Sequence, residues 1–129
     1  MKSDETKLHR VSSLGKTWIF DIDGTIVKHN GYKTDGQDTL LDGAKDFFSS
    51  LPKEDKVILI TSRTEEYRQS TLDFLKRENI RFDEVIFGLP FVERIIVNDE
   101  KPSGLKTSLA VNTLRDKFMT DVFIVDPDL

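Results

Sequence analysis

The sequence contains no cysteine, no long apolar run and no Gly/Pro-rich linker. None of its 129 residues is Cys, seven are Gly and four are Pro. The absence of cysteine excludes a disulfide framework, thiolate zinc sites and cysteine nucleophiles, and it fits a reducing compartment. No stretch approaches the ~18 consecutive apolar residues of a membrane helix, so we expect no membrane partner.

The chain also lacks the basic excess that is typical of general nucleic-acid binders. Its 19 Lys and Arg residues face 23 Asp and Glu residues, giving a formal net charge of −4 and a pI of about 5.2. We therefore expect no nucleic-acid partner. The first seven residues are too charged to begin a signal peptide, which favours a cytoplasmic location.

The length is that of one domain, since domains cluster around ~100–150 residues. Nine Phe residues supply core volume and argue against wholesale disorder. Residues 1–14 are mostly polar and are interpreted as a flexible N-terminal segment. The remaining residues, 15–129, are predicted to form a single domain without internal repeats.

Short apolar runs alternate with helical patterns along the chain. This alternation predicts an α/β fold in which helices flank a parallel sheet as three layers. Helices are predicted over 42–51 and 65–78, residues 28–39 are interpreted as a loop or small β-flap, and residues 107–118 fit either a helix or a strand over 108–112. The predicted strands cover residues 17–20, 57–60, 82–87, 94–97 and 122–125.

Polar side chains follow three of the predicted strands. Asp21 and Asp23 follow the first, Thr61 follows the second and Asp99 follows the fourth. In a parallel sheet, ligands bind beyond the carboxyl ends of the strands. We therefore expect these three groups to converge on one edge of the sheet.

The acids of this set have the chemistry of a phosphoryl-transfer site. Carboxylates from Asp21, Asp23 and Asp99 are hard oxygen ligands that suit Mg²⁺. An ionised Asp can attack phosphorus, and a second can protonate the leaving oxygen and then activate water. Gly24 permits a tight backbone turn directly after the strand and its acids.

The second cluster offers hydrogen-bond donors to a phosphoryl oxygen. Thr61 and Ser62 carry hydroxyls and precede a predicted helix start. A cation is also expected near the phosphoryl group to balance its charge. Taken singly, the Asp pair can be only a turn and the Thr-Ser pair only a helix cap.

Residues 18–25, Trp-Ile-Phe-Asp-Ile-Asp-Gly-Thr, resemble the first motif of the haloacid dehalogenase (HAD) superfamily of phosphohydrolases. Residues 61–63, Thr-Ser-Arg, resemble its second motif, and residues 95–99, Ile-Ile-Val-Asn-Asp, its fourth. The resemblance implies a Rossmann-like core and Asp21 as the nucleophile. It also implies Asp23 as the acid/base and Thr61 as a phosphoryl ligand, with Gly24, Ser62 and Arg63 around the substrate. Asp21, the main-chain oxygen of Asp23 and Asp99 would hold Mg²⁺.

One position departs from the family pattern. Residues 82–90 resemble small capsule- and sugar-phosphate-associated members, in which a Gly-Lys-Pro motif supplies the third-motif lysine. Here that position is Leu89. Lys101 is the first candidate to replace the missing third-motif lysine, and Arg94 is the second. Lys101 can also be only a surface charge.

The intervals between the motifs leave no room for a cap domain. The resemblance then implies an open site that admits a large substrate or gains its lid from another subunit, so a homo-oligomer stays among the expected partners. Residues 28–37, which include Tyr32 and Lys33, are the local candidate for a flap.

The first functional hypothesis is a Mg²⁺-dependent phosphatase acting on a small phosphorylated metabolite such as a sugar phosphate. The alternative is a non-catalytic or regulatory HAD-like module, which the departure at Leu89 motivates. A third hypothesis, a two-component receiver domain, is disfavoured because receivers place the phosphoacceptor Asp after the third strand. Gly88 and Leu89 occupy that position here.

Overall fold

The computed structural model describes residues 6–129. A 3-10 turn, Glu65–Tyr67, precedes the third helix. In chain order, the strands and helices are β1 Leu8–Val11, β2 Thr17–Asp21, α1 Gly31–Thr34, α2 Ala44–Ser49, β3 Lys56–Ile60, α3 Arg68–Arg77, β4 Glu84–Ile86 and β5 Val122–Val125. The chain is therefore a small α/β protein, and no helix within residues 6–129 is long and apolar enough to cross a membrane.

The described residues form two compact units. The larger one, here called the core unit, consists of Gly15–Phe91 and Thr113–Phe118. The smaller one, the terminal unit, consists of the residues up to Leu14 together with Val92–Asn112 and Met119–Leu129.

The core unit contains a parallel sheet of three strands in the order β2-β3-β4. The register places Asp21 opposite Ile60, and Ile60 opposite Ile86. Because the strands are parallel and their last residues are paired, their carboxyl ends lie at one edge. The loops that leave β2 and β3 therefore start side by side.

One face of this sheet is covered by aromatic side chains. The Phe20 ring of β2 lies 4.9 Å from the Phe48 ring of α2 and 6.0 Å from the Phe118 ring. Phe48 is only 1% exposed, and Val57 and Leu59 on β3 are fully buried. Aromatic pairs at such distances add to the free energy of burial, so this cluster anchors β2 and α2.

Helix α3 has an apolar side and a left-handed end. Thr71, Phe74 and Leu75 are buried at the i, i+3 and i+4 spacing of one helix face. Asn79 then adopts φ 59°, and the Ile80 N–H donates to Leu75 O at 2.9 Å. Asn79, one residue beyond the cap Glu78, is thus the left-handed residue at which the helix ends.

The terminal unit contains the parallel pair β1 and β5. His9 Nε2 lies 2.6 Å from Asp121 Oδ2, and the His9 ring stacks on Phe123 at 5.0 Å. β1 thus lies inside residues 1–14, where the sequence predicted a flexible segment. Residues 1–5 of that segment lie outside the described residues.

Two predicted elements beyond residue 91 are wrong. Residues 94–97 form no strand, and Ile95 and Val97 are 86% and 91% exposed. A strand needs a paired neighbour for its backbone hydrogen bonds, and no described strand pairs with this apolar run. Residues 107–118 form neither a helix nor a strand; Thr, Val and Asn there are weak helix formers, and Asp116 has a φ of 66°.

Candidate functional site

The candidate site begins at the end of β2. Gly24 has a φ of 79°, and its N–H donates to Val27 O at 2.7 Å, closing a tight loop. A Cβ on Gly24 would lie 3.3 Å from Arg115 Cγ, in addition to the strain of a left-handed backbone. Ile22, the residue between the two acids in the sequence, is buried in the apolar core. Asp21 and Asp23 therefore project away from that core.

Asp21 is the last residue of β2 and is half-buried. Its Oδ2 accepts a long hydrogen bond of 3.5 Å from the Thr25 hydroxyl. The two residues are held together by the loop, in which the Ile26 N–H donates to Ile22 O at 2.9 Å. The first predicted motif is therefore one compact turn.

The second motif follows β3 at the same edge. Thr61 is fully buried, its N–H donates to Ile86 O at 3.0 Å, and its hydroxyl oxygen accepts from the Arg63 N–H at 3.0 Å. Ser62 is exposed, and the chain then returns Arg63 to the interior. Thr61 thus shapes the turn that aims Arg63.

Arg63 joins the two motifs. Its Nε and Nη2 donate to Asp23 Oδ2 and Oδ1 at 3.0 and 2.9 Å. Its Nη2 and Nη1 also donate to Asp38 Oδ1 and Oδ2 at 2.7 and 2.9 Å, and Nη1 donates to the Thr71 hydroxyl at 2.9 Å. A guanidinium has five N–H donors, so every donor of Arg63 has an acceptor within the protein.

This cluster is nearly dry. The side chain of Arg63 is 1% exposed, and those of Asp38 and Asp23 are 6% and 13% exposed. Burial by itself lowers the pKa of Arg63, but hydrogen bonds to Asp38 and Asp23 outweigh it and raise the pKa above its ordinary value. One guanidinium faces two carboxylates, so the cluster keeps a formal charge of −1 when both acids are ionised.

Tyr32 covers the guanidinium. The Arg63 Cζ lies 3.9 Å from the centroid of the Tyr32 ring, a close cation–π contact. The Tyr32 ring also meets the Tyr67 ring at 4.8 Å and 77°. Burial, followed by the charge of Asp23, raises the pKa of the Tyr32 hydroxyl. The segment 28–37, predicted as a flap, thus carries the short helix α1 and lies against Arg63.

A cavity of about 320 Å³ opens beside this cluster. Of the site residues predicted from the sequence, Asp23, Ser62 and Arg63 line it. Its other walls include the side chains of His29, Tyr32, Lys33, Tyr67 and Phe91. All of these residues belong to the core unit.

Asp99 and Lys101 belong to the terminal unit. Asp99 is exposed, and its main-chain oxygen accepts from the Thr107 hydroxyl at 2.6 Å. Lys101 is also exposed and lies in a turn in which its N–H donates to Leu105 O at 2.9 Å. Their roles as a metal ligand and as the substitute lysine stay predictions, as does the role of Arg94.

The oxygen atoms at the end of β2 are of the type that binds Mg²⁺. The carboxylate of Asp21 and the main-chain oxygen of Asp23 are hard oxygen donors in one loop. Both carboxylate oxygens of Asp23 are engaged by Arg63, so this side chain is occupied. Within residues 6–129, no three His, Cys, Asp or Glu side chains are arranged to hold a metal ion.

Sequence reasoning missed Asp38 and the role of Tyr32 as a cover for Arg63. Asp38 lies in the polar stretch 28–39, which the sequence pattern predicts to be a loop or small β-flap, and nothing in the local pattern separates it from Asp35. Asp35 makes an exposed pair with Lys28, whereas Asp38 is buried against Arg63. Only the path of the chain after α1 distinguishes the two.

No protein-family model and no curated protein matches this chain. Among solved structures, it is similar to a chain of one described as "Structure of Pnkp1/Rnl/Hen1 complex", with 31% identity and a TM-score of 0.49. The similarity covers 60% of this chain and 29% of that chain. A similarity of this extent identifies neither the fold nor the activity of this protein.

Proposed function

We propose that this protein is a Mg²⁺-dependent phosphatase of the HAD type with a Rossmann-like core and no cap domain, in which Asp21 is the nucleophile. Its substrate is a small phosphorylated metabolite, and sugar phosphates are the class that the sequence resemblance implies. A cytoplasmic location accords with the absence of cysteine.

One observation carries the proposal: Arg63 of the second motif makes a bidentate ion pair with Asp23 of the first. The two contacts are 2.9 and 3.0 Å long and are nearly buried. Two motifs some forty positions apart in the chain thus meet at the carboxyl edge of a parallel sheet, where α/β proteins bind their ligands. Planar, bidentate pairing also fixes the orientation of the Asp23 carboxylate.

The proposed reaction has two displacements at phosphorus. A carboxylate oxygen of Asp21 attacks phosphorus, the P–O bond to the alcohol breaks, and the alcohol oxygen takes a proton from Asp23. Water then attacks the aspartyl-phosphate, Asp23 accepts the proton of that water, and the bond from phosphorus to Asp21 breaks. Each oxygen of Asp23 accepts from Arg63 with one lone pair, so a second lone pair remains for the proton.

Asp21 and the main-chain oxygen of Asp23 would hold Mg²⁺, and Asp99 is the further ligand that the sequence resemblance implies. When bound, the ion neutralises charge on the transferring phosphoryl group. Thr61, Ser62 and Gly24 shape the turns that receive this group, and exposed Ser62 is the hydroxyl of the pair that faces the cavity. Arg63 orients Asp23, because none of its N–H donors is left for substrate.

A cation for the phosphoryl group must come from elsewhere. Lys101 is the substitute that the sequence suggests for the missing lysine at Leu89. The cavity beside Asp23 offers another, since Lys33 lines it. The two lysines are separable by mutation.

The test is phosphate release from a generic aryl phosphate with and without Mg²⁺. We expect Asp21→Asn to lower turnover by at least about 10³-fold while keeping the fold, because an amide is neither a nucleophile nor a good Mg²⁺ ligand. Asp73→Asn, on the exposed side of α3, is the matched control and retains turnover. Full activity in Asp21→Asn would refute the assignment.

The alternative is a non-catalytic HAD-like module. Leu89 favours it, since this half-buried apolar residue occupies the expected lysine position and its N–H donates to Thr61 O at 3.1 Å. Absence of Mg²⁺-dependent turnover in the unaltered protein, across aryl and sugar phosphates, selects this alternative.

A further inference from the structure

The cavity beside Asp23 has an aromatic wall. Tyr32 comes from α1, Tyr67 from the 3-10 turn and Phe91 from the loop after β4. Phe91 is 82% exposed, whereas Phe20, Phe48 and Phe118 are at most 9% exposed. An exposed Phe ring at the mouth of a polar cavity offers a ligand a large apolar surface that core packing does not use.

Polar groups occupy the rest of the cavity. Lys33 supplies positive charge and Glu66 negative charge, and His29, Asn30 and Ser62 supply hydrogen-bonding groups. Asp23 and Arg63 also line the cavity, and Asp23 is two residues along the chain from the proposed nucleophile Asp21. A ligand that fills the cavity can thus place its anionic group against Lys33 and Ser62 and its apolar group against Phe91.

The apolar end suits a planar ring. Arg63 already covers Tyr32 at 3.9 Å, and Tyr67 packs against Tyr32 at 77°, so Phe91 and Tyr67 are the rings that can still receive a partner. Flat aromatic rings stack with optimal dispersion contact, whereas a bare sugar phosphate presents hydroxyls that Phe91 cannot satisfy. The cavity volume of about 320 Å³ is at the lower end of ligand sites.

We infer that the cavity takes phosphomonoesters whose alcohol carries a planar aromatic ring, with the ring seated on Phe91 and Tyr67. This inference rests on the proposed function and narrows its substrate class. The ring can belong to a nucleobase or to an aryl group, since the two share the same stacking chemistry.

Binding by calorimetry to the Asp21→Asn variant tests the inference without requiring turnover. Phenyl phosphate is compared with cyclohexyl phosphate, and a nucleoside monophosphate with ribose 5-phosphate. We expect the planar partner of each pair to bind about fivefold to tenfold more tightly, as one stacked ring typically gives. A larger preference in the nucleotide pair assigns a nucleobase, and a larger one in the phenyl pair assigns an aryl group.

Phe91→Ala should weaken binding of the planar member of each pair more than binding of its non-planar partner, and so abolish the preference. Val92→Ala, the next position and also exposed, does not line the cavity and is the matched control. Equal binding within both pairs, or equal weakening of all four ligands by Phe91→Ala, would overturn the inference. If the unaltered protein shows no phosphatase turnover but the planar ligands still bind more tightly, only the proposed activity is overturned.

Discussion

At the scale of single residues, Arg63 organises the site. Its planar guanidinium binds two carboxylates and a hydroxyl while one face is stacked on Tyr32. Lysine could not replace it, because an ammonium is a point charge with three donors. The cost of burying this charge is offset only while both acids are present, so each acid is a sensitive position.

Asp38→Asn tests this dependence. The amide NH₂ introduced at position 38 would replace one of the two carboxylate oxygens that accept from Arg63, so two hydrogen-bond donors would face each other. The buried guanidinium would also lose one of its two carboxylate partners. We expect the free energy of unfolding to fall by roughly 2–4 kcal/mol, measured by urea denaturation. Asp35→Asn, which disrupts the exposed pair with Lys28, should leave the urea midpoint unchanged. Equal effects of the two substitutions would contradict the buried network.

Tyr32 gives a spectroscopic measure of the same cluster. Its pKa is raised by burial and by the charge of Asp23, so its tyrosinate should form at a pH above the ordinary value of ~10. The chain has two tyrosines, so the absorbance titration of the unaltered protein minus that of Tyr32→Phe isolates Tyr32.

The raised pKa of Tyr32 also makes the folding stability depend on pH. The folded state holds the Tyr32 hydroxyl proton to a higher pH than the unfolded chain does. The stabilisation that results is therefore complete below pH ~10 and is lost as the pH rises through the pKa of Tyr32 in the folded state. The alkaline fall in stability should therefore be smaller in Tyr32→Phe. A difference titration centred at or below the ordinary value would contradict the placement of Tyr32.

At the scale of elements, the core unit depends on the aromatic contact between β2 and α2. α2 is only six residues long, so its own backbone hydrogen bonds cannot maintain it. It is held by Phe47 and Phe48 against Phe20. The same contact fixes the end of β2, from which Asp21 and Asp23 leave the sheet.

Phe48→Ala tests the importance of that contact. Phe48 is 1% exposed, so its truncation should lower the free energy of unfolding by about 3–5 kcal/mol. Phe91→Ala removes the same number of atoms from a side chain that is 82% exposed and should change it by no more than about 0.5 kcal/mol. Thermal or urea unfolding of the two variants distinguishes core from surface, and similar losses would contradict the described packing.

At the scale of the whole molecule, the proposed function requires a cation for the phosphoryl group, and Lys101 and Lys33 are the two candidates. Three acids and a phosphate leave negative charge that one Mg²⁺ cannot cancel. If Lys101 supplies the missing cation, Lys101→Ala lowers turnover by about 10-fold or more with little change in thermal midpoint, and Arg94→Ala spares catalysis. A fully active Lys101→Ala together with an impaired Lys33→Ala would instead assign the role to the lysine that lines the cavity.

Local sequence patterns were sufficient to predict several elements. The apolar runs of β2, β3 and β5 and the position of α3 were predicted within a few residues. The acids after β2 and the Thr-Ser-Arg turn after β3 were also evident, because each comes directly after a strand end. The resemblance to the HAD superfamily, which implies a chemistry for these residues, depends on the same local patterns.

Contacts between distant segments could be read only from the folded chain. The apolar run at residues 94–97 matched a strand but has no pairing partner among the described strands, and pairing cannot be read from a single segment. Asp35 and Asp38 look alike in sequence, yet the fold buries one against Arg63 and exposes the other. Arg63 itself looked like a ligand for substrate. The structure instead gives all its donors to Asp23, Asp38 and Thr71, because the fold brings these acceptors to one buried point.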